Sequence, residues 1–254
     1  MADSISSFTA ANKAAWNASA SLHSRGADFS VLDPELRETI RALGLEGKSA
    51  AQVGCNNARE LLSLASLKVI PSVGIDQSGA FLEQGRVLAK AAGLEPRLIE
   101  ADIYDLPDDV GTFDLVLVTI GVLNWMPDLG GFFRVIAGLL GPGGHLLVYE
   151  THPVMEMFDP ESDTPHEPAI SYFRTDPLKE EGLISYDGVD HGSGETGYWF
   201  IHTLGQIVTS CATAGMTITS LKEFGYSIRE PEYDVYEGRE AQIPMSYLLH
   251  ARKM

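Results

Sequence analysis

Between residues 49 and 149 the chain alternates short, almost uniformly apolar runs with longer stretches of helical periodicity. The apolar runs fall at 49–53, 71–75, 97–101, 113–118 and 145–149. A strand wetted on one face alternates apolar and polar residues, whereas one apolar throughout is buried on both faces. Helices between such strands cover both sides of a mostly parallel sheet, so the pattern predicts an α/β, doubly wound fold. The intervening helices are expected at 58–67, 79–92 and 129–140, the second closed by Gly93 and the third by Gly141-Pro142-Gly143-Gly144. Thr203 and Gln206 have capping-box spacing and open a helix through 214. Strands at 217–224 and 246–251 then bring the sheet to seven, and this final pair is expected to be antiparallel at the sheet edge.

Two segments depart from this rhythm. Residues 1–44 read as an N-terminal helical cap, with an Ala-rich helix at 8–24. A second helix starts where Asp33-Pro34-Glu35 supplies an N-cap, a first-turn proline and a first-turn acid. Residues 152–202 read as a β-rich insertion after the fifth strand, with short strands at 170–173, 183–186 and 198–201. The chain is therefore divided, within one domain, into a cap (1–44), a ligand-binding core (45–151), an insertion or lid (152–202) and a C-terminal helix with strands (203–254).

The net charge of −17 repels phosphate backbones and anionic lipid surfaces, so neither a nucleic-acid nor a membrane partner is expected. Cys55 and Cys211 are too few for a disulfide scaffold or a zinc cluster and suit a cytoplasmic protein. Residues 1–20 lack the apolar stretch of a secretory leader, and no apolar run is long enough to span a bilayer. A small molecule is the expected partner, and a homodimer is left open.

In doubly wound sheets ligands bind beyond the carboxyl ends of the strands. Four of those ends carry Gly54, Asp76, Asp102 and Thr119. Gly54-Cys55-Asn56-Asn57-Ala58 forms a tight turn whose backbone N–H groups are expected beside a ligand. Asp76, followed by Gln77, lies far enough beyond Gly54 to meet a ribose diol. Asp102-Ile103 pairs an acceptor for an adenine amino group with an aliphatic cover, and Thr119-Ile120 lines the same cleft.

Five pieces, Val53-Gly54-Cys55, Gly74-Ile75-Asp76, Ala101-Asp102, Phe113-Asp114-Leu115-Val116 and Gly141-Pro142-Gly143-Gly144, resemble in order the class I S-adenosylmethionine-dependent methyltransferases. The resemblance covers about residues 45–150 well and the C-terminal helix and strands more loosely. It implies a Rossmann-like sheet and S-adenosylmethionine as cofactor, with S-adenosylhomocysteine as product. Gly54 with Cys55 and Asn56 would face its methionine part, Asp76 with Gln77 its ribose, Asp102 with Ile103 its adenine, and Thr119, Ile120 and Trp16 would line the pocket. The family's loop has an acid where this chain has Gln52, and glycines where it has Asn56 and Ala58. Asn56 is expected to keep a positive-φ turn, and Ala58 to be harmless at a helix start.

The implied reaction is direct displacement by an O, N, S or C nucleophile of a small molecule, with no metal. His152, directly after the fifth strand, is the candidate proton acceptor. His23, Asn124 and Trp125 are candidate substrate-pocket residues. Blander roles stand beside each: Asp76 and Asp102 as helix caps, Cys55 as a turn residue, Trp16 and Trp125 as core, His23 as surface. Tyr172, Phe173, Tyr186, Tyr198 and Trp199 make the insertion the expected lid or substrate wall. A nicotinamide oxidoreductase would need G-x-G-x-x-G, of which only Gly54 is present, with Asn56 and Arg59 in the other places. The remaining alternative is a non-catalytic binding module on the same fold.

Overall fold

A computed structural model describes residues 4–23, 32–184 and 192–254, with backbone only for Leu22 and His23. Its main sheet has seven strands: β1 (Ser49–Val53), β2 (Ile70–Asp76), β3 (Arg97–Glu100), β4 (Phe113–Thr119), β5 (Leu140–Thr151), β8 (Met216–Phe224) and β9 (Ser246–Lys253). Their order is β3-β2-β1-β4-β5-β9-β8. The first five strands run parallel, and β9 pairs antiparallel with both β5 and β8. The chain winds outward from β1 to β3, then returns to place β4 on the other side of β1. That reversal opens the crevice in which such sheets bind ligands.

The apolar strand of the sequence becomes a two-faced core. Leu115 and Leu117 of β4 pack with Leu61, Leu64, Leu36 and Ile40 on one face. Val116 and Val118 pack with Phe132, Phe133 and Ile136 on the other. Successive strand residues point to opposite faces, so an unbroken apolar run is what a doubly covered strand requires. The covering helices are α2 (Pro34–Ala42), α3 (Arg59–Ser63), α4 (Gly79–Ala92), α5 (Leu129–Leu139) and α6 (Leu204–Thr213). Both expected caps form. Asp33 accepts from the Glu35 backbone N–H, and Thr203 and Gln206 close a reciprocal capping box. The glycine-proline turn at 141–144 is absorbed into β5, with a register shift opposite Phe113 and Leu115.

The insertion differs in detail from expectation. Its strands are β6 (Leu178–Gly182) and β7 (Ser193–Trp199), paired antiparallel. Residues 170–173 form no strand, and 185–191 lie outside the described residues. The sequence of β6, Leu-Lys-Glu-Glu-Gly, is mostly exposed and carries no apolar alternation.

Helix α1 (Ile5–Ser19) docks on β7 through one fully buried amide. Asn12 Oδ1 accepts from Tyr198 N–H at 2.7 Å, and Asn12 Nδ2 donates to Tyr198 O at 3.1 Å, as a neighbouring strand would. An Asn12→Ala variant leaves both main-chain groups unpaired in a dry contact. It is expected to cost about 2 kcal/mol and to speed amide exchange across residues 5–19. Unchanged exchange there would show that the amide does not hold the cap.

Candidate active site

The carboxyl ends of β3, β2, β1 and β4 open into one cavity of about 310 Å³. Its floor is Gly54, Asn56, Asp76, Asp102 and the turn at 119–122, and its roof is α1, which contributes Thr9 and Trp16. Side chains pin that end of the chain to β3 and to α4. Lys13 Nζ lies 2.6 Å from Glu100 Oε1, Ser78 Oγ shares a hydrogen bond with Asn17 Oδ1 at 2.7 Å, and Gln84 donates to Ala20 O at 2.7 Å.

Left-handed backbone shapes the floor. Gly54 has φ +63°, Asn56 +50° and Ala58 +60°. Asn56 keeps the positive-φ turn, as Asn tolerates. Ala58 is not at an ordinary helix start: it takes the same strained region, its buried methyl packing with Leu61 and Leu82. Within the loop the N–H groups are already spent. Cys55 N donates to Ile75 O (3.0 Å), Asn56 N to Asp76 Oδ2 (2.7 Å), Asn57 N to Asn56 Oδ1 (2.7 Å) and Ala58 N to Cys55 O (2.7 Å). The turn therefore approaches a ligand without presenting the free donors expected of it.

Asp76 is more than a helix cap. Its Oδ1 accepts from Ser78 N at 2.8 Å, while the Ser78 side chain caps α4 itself. Burial pushes the Asp76 carboxyl up, and the N–H groups of Ser78, Asn56 and Gln77 pull it back. Asp76 also lines the cavity. Asp102 accepts from Tyr104 N at 3.0 Å through Oδ1. Gln52, in the acid position, lines the cavity and bonds on both sides: Nε2 donates to Thr119 Oγ1 at 2.8 Å, and Oε1 accepts from Leu61 N at 2.9 Å. It ties β1 to β4 and α3 without a charge.

Of the residues singled out from sequence, Gly54, Asn56, Asp76, Gln77, Asp102, Ile103, Thr119, Ile120, Trp16 and Trp125 line this cavity. Three described residues do not come to it. Cys55 is fully buried beneath the loop, and burial pushes its thiol well above the usual range. Asn124 donates to Phe200 O at 3.1 Å and so holds the insertion. His152 is buried, its Nδ1 accepting from Val154 N at 3.1 Å. Its Nε2 lies 2.9 Å from Glu223 Oε1. The His23 side chain is outside the described residues.

The insertion supplies no described residue to the cavity wall. Its aromatics brace the cap instead. Phe8 packs edge-on against Tyr198 and Phe200, and Trp199 against Trp125, which in turn meets Trp16. Tyr172 accepts from Leu204 N at the start of α6, and Phe173 is exposed. The wall comes from residues 228–231, in the polar loop between β8 and β9. Arg229 reaches across to Glu60 on α3 at 2.7 Å and latches that loop over the opening.

Buried acids near this wall went unread in the sequence. Glu150 accepts from the N–H groups of Gly121, Val122 and Leu123. Burial pushes its carboxyl up to about 7 against those three donors. Glu156 accepts from Trp199 Nε1 at 2.6 Å and is pushed up to about 7 by burial. A charge ending an otherwise apolar run, as in Tyr149-Glu150, was the available signal: a buried carboxylate must have donors.

Residues 51–148 match the sequence profile of the methyltransferase domain family. That stretch, less than half of the chain, is similar to a methyltransferase domain. A demethylmenaquinone methyltransferase from Thermus thermophilus is 40% identical to it over 84 residues. That match covers 32% of this chain and 36% of the relative, so the chain spans little more than a third of that relative's length. A candidate S-adenosylmethionine-dependent methyltransferase from Listeria monocytogenes shares the fold, with a TM-score of 0.63 and 19% identity over 87% of this chain and 98% of the other. A second S-adenosylmethionine-dependent methyltransferase, from Clostridium acetobutylicum, has a TM-score of 0.61 and 13% identity over 89% and 92%. Most of the cavity lining falls within the matched residues 51–148, with only Thr9, Trp16 and residues 228–231 coming from outside them.

Proposed function

We propose that this chain transfers a methyl group from S-adenosylmethionine to a small-molecule nucleophile by direct displacement. The observation that carries this reading is the pair of carboxylates, Asp76 and Asp102, at the ends of adjacent strands and facing one cavity. A nucleoside fits that pair of acceptors: Asp76 accepts from the two ribose hydroxyls, Asp102 from the adenine amino group, and Ile103 and Phe81 cover the ring. The first loop supports the same choice. A dinucleotide pyrophosphate needs free N–H donors at this turn, and those of residues 55–58 already donate to Ile75 O, Asp76 Oδ2, Asn56 Oδ1 and Cys55 O. A ligand without phosphate and with a cationic ammonium suits a turn whose exposed edge has no donors left. When bound, S-adenosylmethionine supplies an electrophilic methyl on a positively charged sulfur. The protein's part is placement: Gly54, Asn56, Thr119 and Trp16 hold the reacting end, and the latched loop at 228–231 keeps water out.

From the demethylmenaquinone relatives this reading takes the reaction class and not the acceptor, because the shared stretch is short. Small size is supported by the cavity volume of about 310 Å³ and by the net charge of −17, which opposes nucleic acid. Two free, buried cysteines favour a reducing compartment, and no described helix is long and apolar enough to cross a membrane.

Calorimetric titration with S-adenosylhomocysteine, with NAD in parallel, tests the proposal. Micromolar binding of the former alone is expected. Asp76→Ala should weaken it about 100-fold or more, since it removes the ribose acceptor and frees Asn56 N. Wild-type protein that ignores S-adenosylhomocysteine, or takes NAD equally well, would sink the reading.

A further inference from the structure

The ends of the sheet's strands form a ruler along the cavity. Asp102, Asp76, Gly54 and Thr119 follow β3, β2, β1 and β4, the stretch assigned above to the nucleoside and its sulfur. The next strand, β5, ends at Thr151. Neighbouring strands lie about 4.8 Å apart, so the end of β5 is on the order of 14 Å from that of β2. It lies past the cofactor's reacting end, where a methyl acceptor must approach.

One cavity-lining carboxyl stands there. Glu230 enters from the loop after β8, is buried to 6% exposure, and accepts a hydrogen bond from Thr151 Oγ1 through Oε2. No described residue bonds its Oε1. Other charges surround it: Glu150 at the end of β5, Glu156 in the turn at 155–157, Glu232 and Arg229 on its own segment, and Glu60 and Arg59 on α3. Tyr233 also faces it.

Resting on the methyl-transfer reading, we infer that the Glu230 carboxylate takes the proton from the methyl acceptor, so that the acceptor attacks through an atom bearing O–H, N–H or S–H. The acceptor's X–H proton passes to Glu230 Oε1 while the freed pair forms the X–CH₃ bond. The carbon–sulfur pair returns to sulfur, leaving a neutral thioether, and Glu230 then releases its proton to water. Burial pushes the Glu230 carboxyl up to about 8. The Thr151 hydroxyl pulls it down, and Glu232, Glu156 and Glu150 push it up further. A base poised near neutrality can both take and release that proton.

The test uses full-length protein labelled with ¹³C at glutamate carboxyls, loaded with S-adenosylhomocysteine and titrated from acid into alkali. The resonance removed by Glu230→Gln should titrate near pH 8. In Thr151→Val it should titrate higher, because the donor that favours the ionised form is gone. Glu230→Gln should bind S-adenosylhomocysteine as the wild type does. It should lose about 10²–10⁴ in kcat on whichever phenols, thiols or amines of a screening panel the wild type methylates. A Glu230 resonance that never moves, full turnover by Glu230→Gln, or a wild type that methylates only acceptors without an ionisable proton would overturn the inference. Failure of the wild type to bind S-adenosylhomocysteine would instead overturn the methyl-transfer reading beneath it.

Discussion

A Gly54→Ala variant is expected to lose S-adenosylhomocysteine binding by about 100-fold or more, close to 3 kcal/mol. Two independent costs converge at this position. The backbone stands at φ +63°, where a non-glycine residue carries about 1–2 kcal/mol of strain. The added Cβ would also lie 2.6 Å from Val122 Cγ2 and 3.0 Å from Cγ1. Val122 has little freedom to retreat: it is buried, and its own N–H is held by Glu150 at 2.9 Å. The relief must come from separating the turn after β1 from the turn after β4, and both form the cavity floor. Calorimetry on Gly54→Ala, Val122→Ala and the double variant separates the causes. If the contact dominates, the double variant recovers much of the affinity. If it recovers none, φ strain is the cause. Wild-type affinity in Gly54→Ala would show that the turn does not shape the site.

The parts of this site that could be read in the sequence were those set by local pattern. Uniformly apolar runs made β1 to β5 visible, and a parallel sheet necessarily gathers their carboxyl ends at one edge. Asp76 and Asp102 could thus be placed together without coordinates. Glu230 could not. It arrives through an irregular loop after β8, amid Glu, Tyr and Pro residues whose sequence looks solvated, and only the tertiary fold buries it. His152 shows the opposite error. It follows the correct strand, and its N–H extends the ladder to Met245 O at 2.9 Å. Successive residues there face opposite sides. Thr151 meets Glu230, while His152 turns towards Glu223 on β8. A shift of one residue separates the cavity from its far side, and no spacing rule resolves that. Part of the insertion misled for a compositional reason: Tyr198 and Trp199 were read as facing a ligand, and they pack on Phe8 of the cap and on Trp125.

The largest loss of stability is expected from Glu150→Ala. Three consecutive N–H groups, those of Gly121, Val122 and Leu123, converge on this one carboxylate at the start of the short helical turn Leu123–Trp125. Ile120, just before them, stands at φ +32°, a strained conformation that only strong partners can hold. Each buried N–H left without an acceptor costs about 1–3 kcal/mol. Removing a buried charge returns part of that, so the net loss should be about 3 kcal/mol or more, a large share of a typical domain's stability. Glu150→Gln distinguishes charge from geometry. If burial of the charge were the main cost, the neutral amide would match or exceed the wild type. Because both oxygens accept N–H groups, the amide must turn an NH₂ towards one of those donors, and a loss of about 1–3 kcal/mol is expected. Denaturant midpoints at constant m give both values. The same turn also lines the cavity, so both variants should weaken S-adenosylhomocysteine binding. A Glu150→Gln protein as stable as the wild type would show that the three donors contribute little, and that burial of the charge alone governs the turn.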